Sequence, residues 1–371
     1  MPLRVLIAPD KFKGTLTAAA AAAAIARGWH AARPQDRIEL LPISDGGDGF
    51  GAMMSERLQA RPQRIRTVDA AHRPVTATWW WEAKRKTAII ESANVIGLAM
   101  LPRGQFHPFQ LDTFGLGAVF RTAQRRGAKQ IIVGIGGSAT NDGGFGLARA
   151  LGWRFLDRAG NMIVKWTRLH DLTAVSAPGQ RWPGKIIVAV DVQNRLLGAR
   201  GASRVYGPQK GLMEDDCAPA ESCLRRLAIV MRKEAGQDFS HRPGAGAAGG
   251  LGFGLAAFCD AELKPGFELF ARCARMSLRL RTADLVITGE GAIDHSTAMG
   301  KGVGQLAQRC RARGVPCVGF AGVARPDAKV KRLFALTPGL TDFVSPTTAR
   351  RHPARHLAAL ARRTAANWRP T

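Results

Sequence analysis

The chain has 371 residues, of which 46% are hydrophobic and 22% charged, and its formal net charge is +26. This length favours about two domains, and this composition is typical of a globular protein whose cores need no disulfide or structural metal. The first apolar run stops at Asp10, which argues against a signal peptide, and the six cysteines show no zinc spacing, which favours a cytoplasmic protein with reduced thiols.

The first segment of the chain predicts a parallel βαβα unit. Strand Leu3–Ala8 precedes an alanine-rich helix that Thr15 or Thr17 would cap. Strand Ile38–Pro42 precedes a helix from about Phe50 to Leu58. Strands that are connected through a helix in this way run parallel.

A different pattern follows residue 61. Three short β-rich runs, Arg64–Asp69, Val75–Trp81 and Thr87–Glu91, predict an antiparallel patch. The alternation of helix and strand then returns with helix Gly115–Arg126 and strand Gln130–Ile135.

The next part of the chain carries three further elements and two glycine-containing connections. We predict helix Phe145–Leu151, strand Lys185–Val190 and a helix from about Ala218 to Ala235. The segment Leu196–Lys210 has the glycine and proline content of a loop, and Gly244–Gly254 is either a flexible lid or a close-packed turn. Strands and helices return after residue 285. The pattern therefore favours an α/β protein in which both ends of the chain form one domain, 1–63 plus 283–371, and residues 64–282 form an inserted mixed α/β domain.

Several apolar strands lead into segments rich in glycine and acidic residues. The acids at these positions are Asp10, Asp45, Asp48, Asp142, Asp191, Glu290 and Asp294. In open α/β sheets ligands bind beyond the carboxyl ends of the strands, so we expect these acids to approach one crevice. Carboxylates beside glycine-rich turns are typical of Mg²⁺ bound next to phosphates.

The strongest local motif is GIGGSATNDGG at Gly134–Gly144. Its glycines, Gly136 and Gly137, free the backbone to wrap around an anion. The helix that follows is expected to add its N-terminal amides, which favours a phosphate-binding loop over a simple capped turn. The polar side chains of the motif are Ser138, Thr140 and Asn141.

The same motif also contains the degenerate dinucleotide fingerprint G-x-G-x-x-A at Gly134, Gly136 and Ala139. Asp157 ends a possible following strand at a plausible distance. An NAD(P)-dependent dehydrogenase of a small hydroxy acid is therefore the alternative function.

The charged residues of the other motifs have either a functional or a purely structural interpretation. Lys11 and Lys13, after the first strand, could bind phosphate or carboxylate or could be solvated. The DGGDG run at Asp45–Gly49 suits substrate hydroxyls or a cation, or is a capped turn. Asp191 is either a positioned base or a cap. The lysine in GEGAIDHSTAMGKG is not part of a Walker A motif, because His295 and Gly302 replace required residues.

Taken in order, these motifs resemble the bacterial glycerate kinase family over nearly the whole chain. The matching segments are PDKFKGTL, SDGGDG, IGGSATNDGG, AVDVQNRL, GASRVYGPQKG, GAGAAGGLG and ITGEGAID. The resemblance implies phosphorylation of D-glycerate by ATP with Mg²⁺, with 2-phosphoglycerate the favoured product. It also implies two unlike α/β domains, a parallel-sheet domain of the Rossmann or flavodoxin type and the inserted mixed α/β domain, with the active site in the cleft between them.

The resemblance and the strand-end positions together suggest residue roles. The ATP phosphates are assigned to Gly136, Gly137, Ser138, Thr140, Asn141, Gly289 and Lys301. The substrate is assigned to Asp10, Lys13, Asp45, Gly46, Gly47 and Asp48. The Mg²⁺ ligands are drawn from Asp191, Glu290 and Asp294. The catalytic group comprises Asp191 as the first choice of base, Asp45 as the second, and Lys13 for the substrate carboxylate.

The positive charge has two interpretations. One is a surface for nucleic acid or anionic membrane. The basic residues are dispersed, however, and the single tyrosine, Tyr206, offers little stacking for bases. We therefore expect D-glycerate as a small-molecule substrate, no nucleic-acid or membrane partner, and a monomer or homodimer.

Overall fold

The computed structural model describes residues 1–12, 14–44, 46–47, 49–179, 182–299 and 302–369. Internal contacts divide the chain into a first unit, residues 1–45 and 267–371, and a second unit, residues 46–266. These boundaries differ from the predicted ones at 63/64 and 282/283. Residues 50–58 pack on strands of the second unit, and residues 276–282 pack on the first strand of the chain, so packing partners and not chain order decide the division.

Twelve strands form within the described residues. They are β1 (Arg4–Ile7), β2 (Arg37–Leu40), β3 (Arg61–Val68), β4 (Pro74–Glu82), β5 (Thr87–Glu91), β6 (Gln130–Gly134), β7 (Arg154–Leu156), β8 (Ala174–Ser176), β9 (Lys185–Val190), β10 (Glu262–Pro265), β11 (Leu285–Ile293) and β12 (Cys317–Ala324).

The same residues form fourteen α-helices, besides a few short 3₁₀ turns. They are α1 (Ala18–Ala32), α2 (Phe50–Leu58), α3 (Ala93–Ile96), α4 (Leu116–Arg125), α5 (Phe145–Ala150), α6 (Ala202–Lys210), α7 (Glu214–Ala235), α8 (Ala247–Cys259), α9 (Gly266–Cys273), α10 (Met276–Thr282), α11 (Gly302–Arg311), α12 (Ala328–Lys331), α13 (Pro346–Arg351) and α14 (Pro353–Asn367). None of the helices in the described part of the chain is long and apolar enough to cross a membrane.

The first unit is built on a parallel four-stranded sheet in the order β12-β11-β1-β2. Buried Val, Ile and Leu side chains from these strands form its core with the apolar faces of α1 and α14. Thr17 caps α1, since its hydroxyl accepts a hydrogen bond from the Ala20 amide at 3.1 Å. This is a parallel sheet of the kind that the sequence predicted.

Strands β11 and β12 are longer than the sequence pattern suggests. Glu290 pairs with Ala321 and Ile293 with Ala324, so the segment GEGAI is part of a strand and not of a loop after it. Gly289 is buried, and a side chain there would meet the Phe320 carbonyl of the neighbouring strand. Glycine is therefore required by the close approach of two strands, which local sequence does not reveal.

The second unit is a mixed α/β fold on a six-stranded sheet in the order β10-β9-β6-β5-β4-β3. Strands β10, β9, β6 and β5 are parallel, whereas β5, β4 and β3 form the predicted antiparallel patch. Trp79 and Trp81 of β4 are buried in the core on one face of this sheet, as simple packing predicts. Strands β7 and β8 form a separate antiparallel hairpin.

Two segments of the second unit that the sequence predicted as a loop and as a lid or a turn have a defined, packed structure. Residues 202–210, predicted as a loop, form α6, because buried contacts of Ala202, Ser203 and Lys210 outweigh the low helix propensity of its glycine and proline. Gly244–Gly254 is buried and close-packed. Residues 248–250 have positive φ, so regular helix in α8 begins only after Gly250.

Candidate active site

The carboxyl ends of four parallel strands in the second unit bring glycine and acidic residues together. In the sheet register Gly134 pairs with both Glu91 and Ala189. Gly136 and Asp191, each two residues beyond the last pair of β6 and β9, therefore follow neighbouring strand ends at this edge of the sheet. The register therefore brings the ends of β5, β6 and β9 together at one edge of this sheet.

The β6–α5 loop, residues 135–144, contains the predicted phosphate-binding motif. A side chain at Gly136 would lie 2.6 Å from the Gly47 Cα, so the two glycine-rich turns approach each other closely through their backbones. Gly137 has φ of +75° and is exposed, whereas Ser138, Thr140 and Asn141 are buried. The loop therefore opens to solvent at its glycines and places its polar side chains behind them.

Several polar groups of the β6–α5 loop have no hydrogen-bond partner among the described residues. The backbone amides of Gly137, Ser138, Thr140 and Asn141 donate to no acceptor among the described residues. The Thr140 hydroxyl and the Asn141 carbonyl oxygen Oδ1 are buried and also lack a described partner. A run of backbone amides without an acceptor in one glycine-containing loop is what an anion-binding loop presents before its ligand binds.

Asp142 organises this loop and does not face the crevice that the sequence suggested. Its carboxylate is fully buried and accepts hydrogen bonds from the amides of Gly144 and Gly146 and from the amide and hydroxyl of Thr113. Burial, together with the charge of Asp112, raises its pKa to about 6, against the opposing effect of these hydrogen bonds.

Asp142 also corrects the expectation that α5 supplies anion-binding amides. The amides of Gly144, Phe145 and Gly146 all donate to oxygens of Asp142, and the Leu147 amide donates to Thr113. The N-terminal amides of α5 are therefore already paired within the protein. The unpaired donors of the motif lie before Asp142 and not at the helix.

The close-packed segment Gly244–Gly254 supports the β6–α5 loop from behind. The Gly143 amide donates to the Gly249 carbonyl at 3.1 Å. A side chain at Gly254 would lie 2.5 Å from the Gly143 carbonyl and 2.7 Å from the Gly144 Cα. Two glycine-rich stretches far apart in sequence thus pack backbone against backbone, which explains why both are so rich in glycine.

Lys210 is a site residue that the sequence motifs contained but that sequence reasoning did not single out. It ends α6, is 6% exposed, and donates from Nζ to the Thr140 carbonyl at 2.7 Å and to the Ser138 hydroxyl at 3.3 Å. Burial lowers its pKa to about 7, and the charge of Asp142 only partly opposes this effect. The only sequence feature that could have drawn attention to Lys210 is its place before a glycine in the motif GPQKG, and this feature does not indicate whether the side chain is buried.

Glu91 is a second residue that sequence reasoning missed. It is buried at the end of β5 and accepts hydrogen bonds from the amides of Gly49 and Gly51 at 2.6 and 3.0 Å, at the start of α2. Its role parallels that of Asp142 at α5, since a carboxylate at a helix N-terminus stabilises the helix dipole. Gly46 and Gly47, the described part of the predicted substrate loop, are buried beside this cap.

Asp191 is exposed immediately after β9, as the sequence predicted. Its charge acts on the nearby phenol of Tyr206, since burial first and Asp191 second raise the pKa of Tyr206 to about 12. The Tyr206 hydroxyl donates to Asn194 at 2.7 Å, which fixes the chain after β9 against α6. Asp191 is thus an exposed residue that precedes a segment held in place by this hydrogen bond.

In the first unit the predicted acids lie on or beside β1 and β11. The Asp10 amide donates to the Gly289 carbonyl at 2.8 Å, which joins the two segments. Glu290 is buried and accepts a hydrogen bond from the Thr297 hydroxyl at 2.8 Å. Asp294 accepts hydrogen bonds from the amide and hydroxyl of Ser296 at 2.8 and 2.5 Å. Asp10 and Glu290 are therefore brought to adjoining strands.

Four predicted site residues, Lys13, Asp45, Asp48 and Lys301, lie outside the described residues. Among the described residues no three His, Cys, Asp or Glu side chains gather as a metal cluster. The described carboxylates therefore do not form a closed metal cage.

The structural context of the dinucleotide fingerprint is absent. The helix after β6 begins at residue 145 and not at Ala139, and β7 belongs to the separate hairpin and not to the main sheet. Asp157 accepts hydrogen bonds from the amides of Ala159 and Asn161 in the tight turn that follows β7. It is a turn residue in this structure, so the spacing that suggested a dehydrogenase arises by coincidence.

Comparison with known proteins agrees with the motif pattern. The model of the glycerate kinase family matches residues 5–369. A glycerate kinase from Halalkalibacterium halodurans is 39% identical, with 86% of this chain and 85% of the relative covered. A glycerate 2-kinase from Escherichia coli is 36% identical, with 88% and 87% covered.

A solved structure shows the same fold. The crystal structure of a protein assigned as glycerate kinase 2 from Salmonella typhimurium LT2 superimposes with a TM-score of 0.83 at 33% identity, covering 99% of this chain and 98% of that one. These findings give no support to a dehydrogenase. Because the family model and relatives above 30% identity span nearly the whole chain, the protein belongs to the glycerate kinase family.

Proposed function

We propose that this protein transfers the γ-phosphoryl group of ATP to a hydroxyl of D-glycerate, with 2-phosphoglycerate as the product. The observation that carries the proposal is the set of unpaired donors in the β6–α5 loop of a glycerate kinase family member. The named substrates of the relatives, glycerate with 2-phosphorylation in one case, support the choice of acceptor and position.

Phosphoryl transfer asks the protein for positioning and charge stabilisation more than for covalent chemistry. In our proposal the amides of Gly137, Ser138, Thr140 and Asn141 bind phosphate oxygens, and the Thr140 hydroxyl supplies a further hydrogen bond. Gly289 and Lys301 remain proposed contacts of ATP. Glycerate is assigned to Asp10, Lys13, Asp45, Gly46, Gly47 and Asp48.

Asp191 is the proposed base for the attacking hydroxyl, with Asp45 as the second choice. Asp191 is exposed and follows buried strand β9, which pairs with the strand that leads to Gly136, so its carboxylate would be held in place beside the phosphates. A base must lie within hydrogen-bond reach of the proton it accepts, and a strand end provides such a fixed position.

The carboxylates also fit Mg²⁺ bound together with ATP. Mg²⁺ in kinase sites is held by one or two carboxylates plus substrate phosphates and keeps several waters, so a protein cage is not needed. Asp191 in the second unit, and Glu290 and Asp294 in the first, are the proposed ligands. When bound, the ion would neutralise charge on the phosphate oxygens.

The direct test is to incubate the protein with ATP, Mg²⁺ and D-glycerate and to identify the product by ³¹P and ¹³C NMR. We expect 2-phosphoglycerate and stoichiometric ADP, and no product after chelation of Mg²⁺. Formation of 3-phosphoglycerate would correct the position only. Reduction of NAD⁺ or NADP⁺ by a hydroxy acid without ATP consumption would overturn the proposal.

The cysteines indicate the compartment in which we propose that the enzyme works. All six are free thiols, which is usual for proteins of the reducing cytoplasm. We propose a cytoplasmic enzyme that works as a monomer or homodimer on small molecules.

A further inference from the structure

Lys210 is a buried lysine whose side chain pairs with no carboxylate in the described part of the chain. It is 6% exposed and forms no ion pair with any carboxylate of the described residues. Lysine is almost never buried in this way unless it is paired, because removing an ammonium group from water is costly. The proposed mechanism above gives this residue no role.

The contacts of Lys210 all fall on the inner side of the β6–α5 loop. Nζ donates to the Thr140 carbonyl and to the Ser138 hydroxyl, which itself donates to the Ala248 carbonyl at 3.2 Å. The carbonyl and the amide N–H of one trans peptide point in opposite directions. By holding the Thr140 carbonyl, Lys210 therefore turns the Asn141 N–H away from itself, and that N–H is one of the unpaired donors.

We propose that Lys210 is a positioning residue for ATP, which orients the Thr140–Asn141 peptide toward the phosphates and takes up a proton when they bind. The inference rests on the proposed function, in which the β6–α5 loop binds the phosphates. A neutral amine can hold the Thr140 carbonyl by itself. The charged form adds a positive potential behind the loop only when the anion is present to favour it.

The surroundings of Lys210 support this linkage. Burial lowers its pKa to about 7, so near neutral pH a large part of the ligand-free protein carries the neutral amine. A nearby anionic ligand favours the charged form and raises the pKa again. ATP binding is therefore expected to be coupled to proton uptake.

The neighbouring charged groups are few. Asp142 on the loop is the group whose charge acts on Lys210. On α6 itself Arg204 is partly exposed and pairs with Glu214 and Glu221 of α7. Helix α8 has no charged residue. The remaining pair, His107 with Asp216, lies beside Pro108, whose ring would be within 4 Å of a side chain added at Gly211, the residue after Lys210.

The first experiment counts protons on the full-length wild-type protein. ATP with Mg²⁺, in the absence of glycerate, is titrated by calorimetry at pH 8 in two buffers of different ionisation enthalpy. At this pH Lys210 would be mostly neutral before binding, so we expect an uptake that approaches about one proton per ATP. Wild-type protein that binds ATP with no proton uptake would overturn the inference.

The second experiment uses three variants. Lys210→Met removes the charge and the donors, and we expect KM for ATP to rise about tenfold or more while KM for D-glycerate changes less than about twofold. Lys210→Arg stays charged at all pH values, so it should restore part of the ATP affinity but show no proton uptake. Arg204→Met removes one charge from the same helix and should behave as wild type.

The outcomes separate this inference from the proposed function. If wild-type protein does not bind ATP, the proposed function fails and the inference fails with it. If wild-type protein binds ATP but Lys210→Met is folded and has an unchanged KM for ATP, only the role of Lys210 is wrong. Should Lys210→Met not fold, the proton count and Lys210→Arg decide, since retained uptake in the arginine variant would contradict the inference.

Discussion

At the residue level, acidic side chains of the second unit divide into two kinds. Glu91 and Asp142 are buried and accept hydrogen bonds from backbone amides at the starts of α2 and α5. Asp191 is exposed at the same edge of the sheet. The sequence places Glu91 and Asp191 at strand ends and Asp142 in the loop after a strand, but only the fold shows that Asp191 alone among the three is exposed.

Replacing Asp191 by Asn should lower kcat by about two orders of magnitude or more, the typical contribution of a positioned base or charge-stabilising group. The change is nearly isosteric, so the fold should remain intact. Measuring kcat against Mg²⁺ concentration separates the possible roles, because loss of a metal ligand also weakens the apparent Mg²⁺ affinity. Asp157→Asn, at the end of β7, is the matched control and should keep wild-type kcat. A folded Asp191→Asn enzyme with near-native kcat at all Mg²⁺ levels would leave Asp45 as the proposed base.

Replacing Thr140 by Val should improve stability and impair function. The variant exchanges a buried hydroxyl without a described partner for a methyl group, so the free energy of unfolding without ligand should rise by about 1–2 kcal/mol. KM for ATP should rise several-fold if that hydroxyl binds phosphate. Urea unfolding and initial-rate kinetics measure the two effects.

Thr113→Val is the control for this prediction, because the Thr113 hydroxyl is fully hydrogen-bonded within the protein. Its hydroxyl donates to Asp142 at 2.7 Å and accepts from the Leu147 amide at 2.8 Å, so its loss should destabilise the protein by about 1–3 kcal/mol. A Thr140→Val protein that is destabilised to the same extent would show that the Thr140 hydroxyl is structural.

At the level of elements, the β6–α5 loop depends on α8. Regular helix in α8 starts after three residues of positive φ, and its glycines allow direct backbone contact with Gly143 and Gly144. Residues 244–254 are thus a support for the loop and not a lid over it. Their burial also implies slow amide exchange and resistance to proteases.

Replacing Gly254 by Ala tests this support. The added methyl would lie 2.5 Å from the Gly143 carbonyl, so we expect a loss of about 1–3 kcal/mol in the free energy of unfolding and a displaced β6–α5 loop. KM for ATP should rise together with this loss. Gly179→Ala, where nothing lies within 4 Å of the added methyl, should change neither quantity. Wild-type stability and KM in Gly254→Ala would refute the close contact.

At the level of the whole molecule, stability should depend on pH through Asp142. Its pKa is about 6 in the folded protein and near 3.8 when unfolded, so the folded state holds the proton more tightly between these values. Stability from this group is therefore highest at low pH, falls as the pH rises from about 4 to about 6, and is constant above. The full change is on the order of 3 kcal/mol.

Comparison of wild type with Asp142→Asn isolates most of this contribution, because groups that do not interact with Asp142 titrate equally in both; Asp112 and Lys210 are the groups coupled to it. Urea unfolding at several pH values between about 4 and 7 should show a wild-type component that decreases with pH and is missing in the variant. A difference between the two proteins that does not change with pH would contradict the buried, high-pKa carboxylate.

The sequence by itself determined the family, most of the strands and helices from β1 to β6 together with β9, and the loop that carries the unpaired donors. Apolar runs of strand length and glycine-rich turns are local patterns, so β5, β9 and α2 were predicted with their observed limits. The motifs at Gly134–Gly144 and at residues 285–294 were also recognised from the sequence, because they too are local patterns of apolar residues and glycines.

Only the tertiary structure decided which side chains of these motifs are buried and which are exposed. The burial of Lys210, the amide contacts of Asp142 and the extension of β11 through Glu290 all depend on segments distant in sequence. Whether a charged group is buried, paired or exposed is set by the surrounding packing, and that packing leaves no local pattern. For this reason the sequence did not reveal that Asp142, one of the acids expected at the crevice, caps α5, or that Lys210 lies buried in the candidate site.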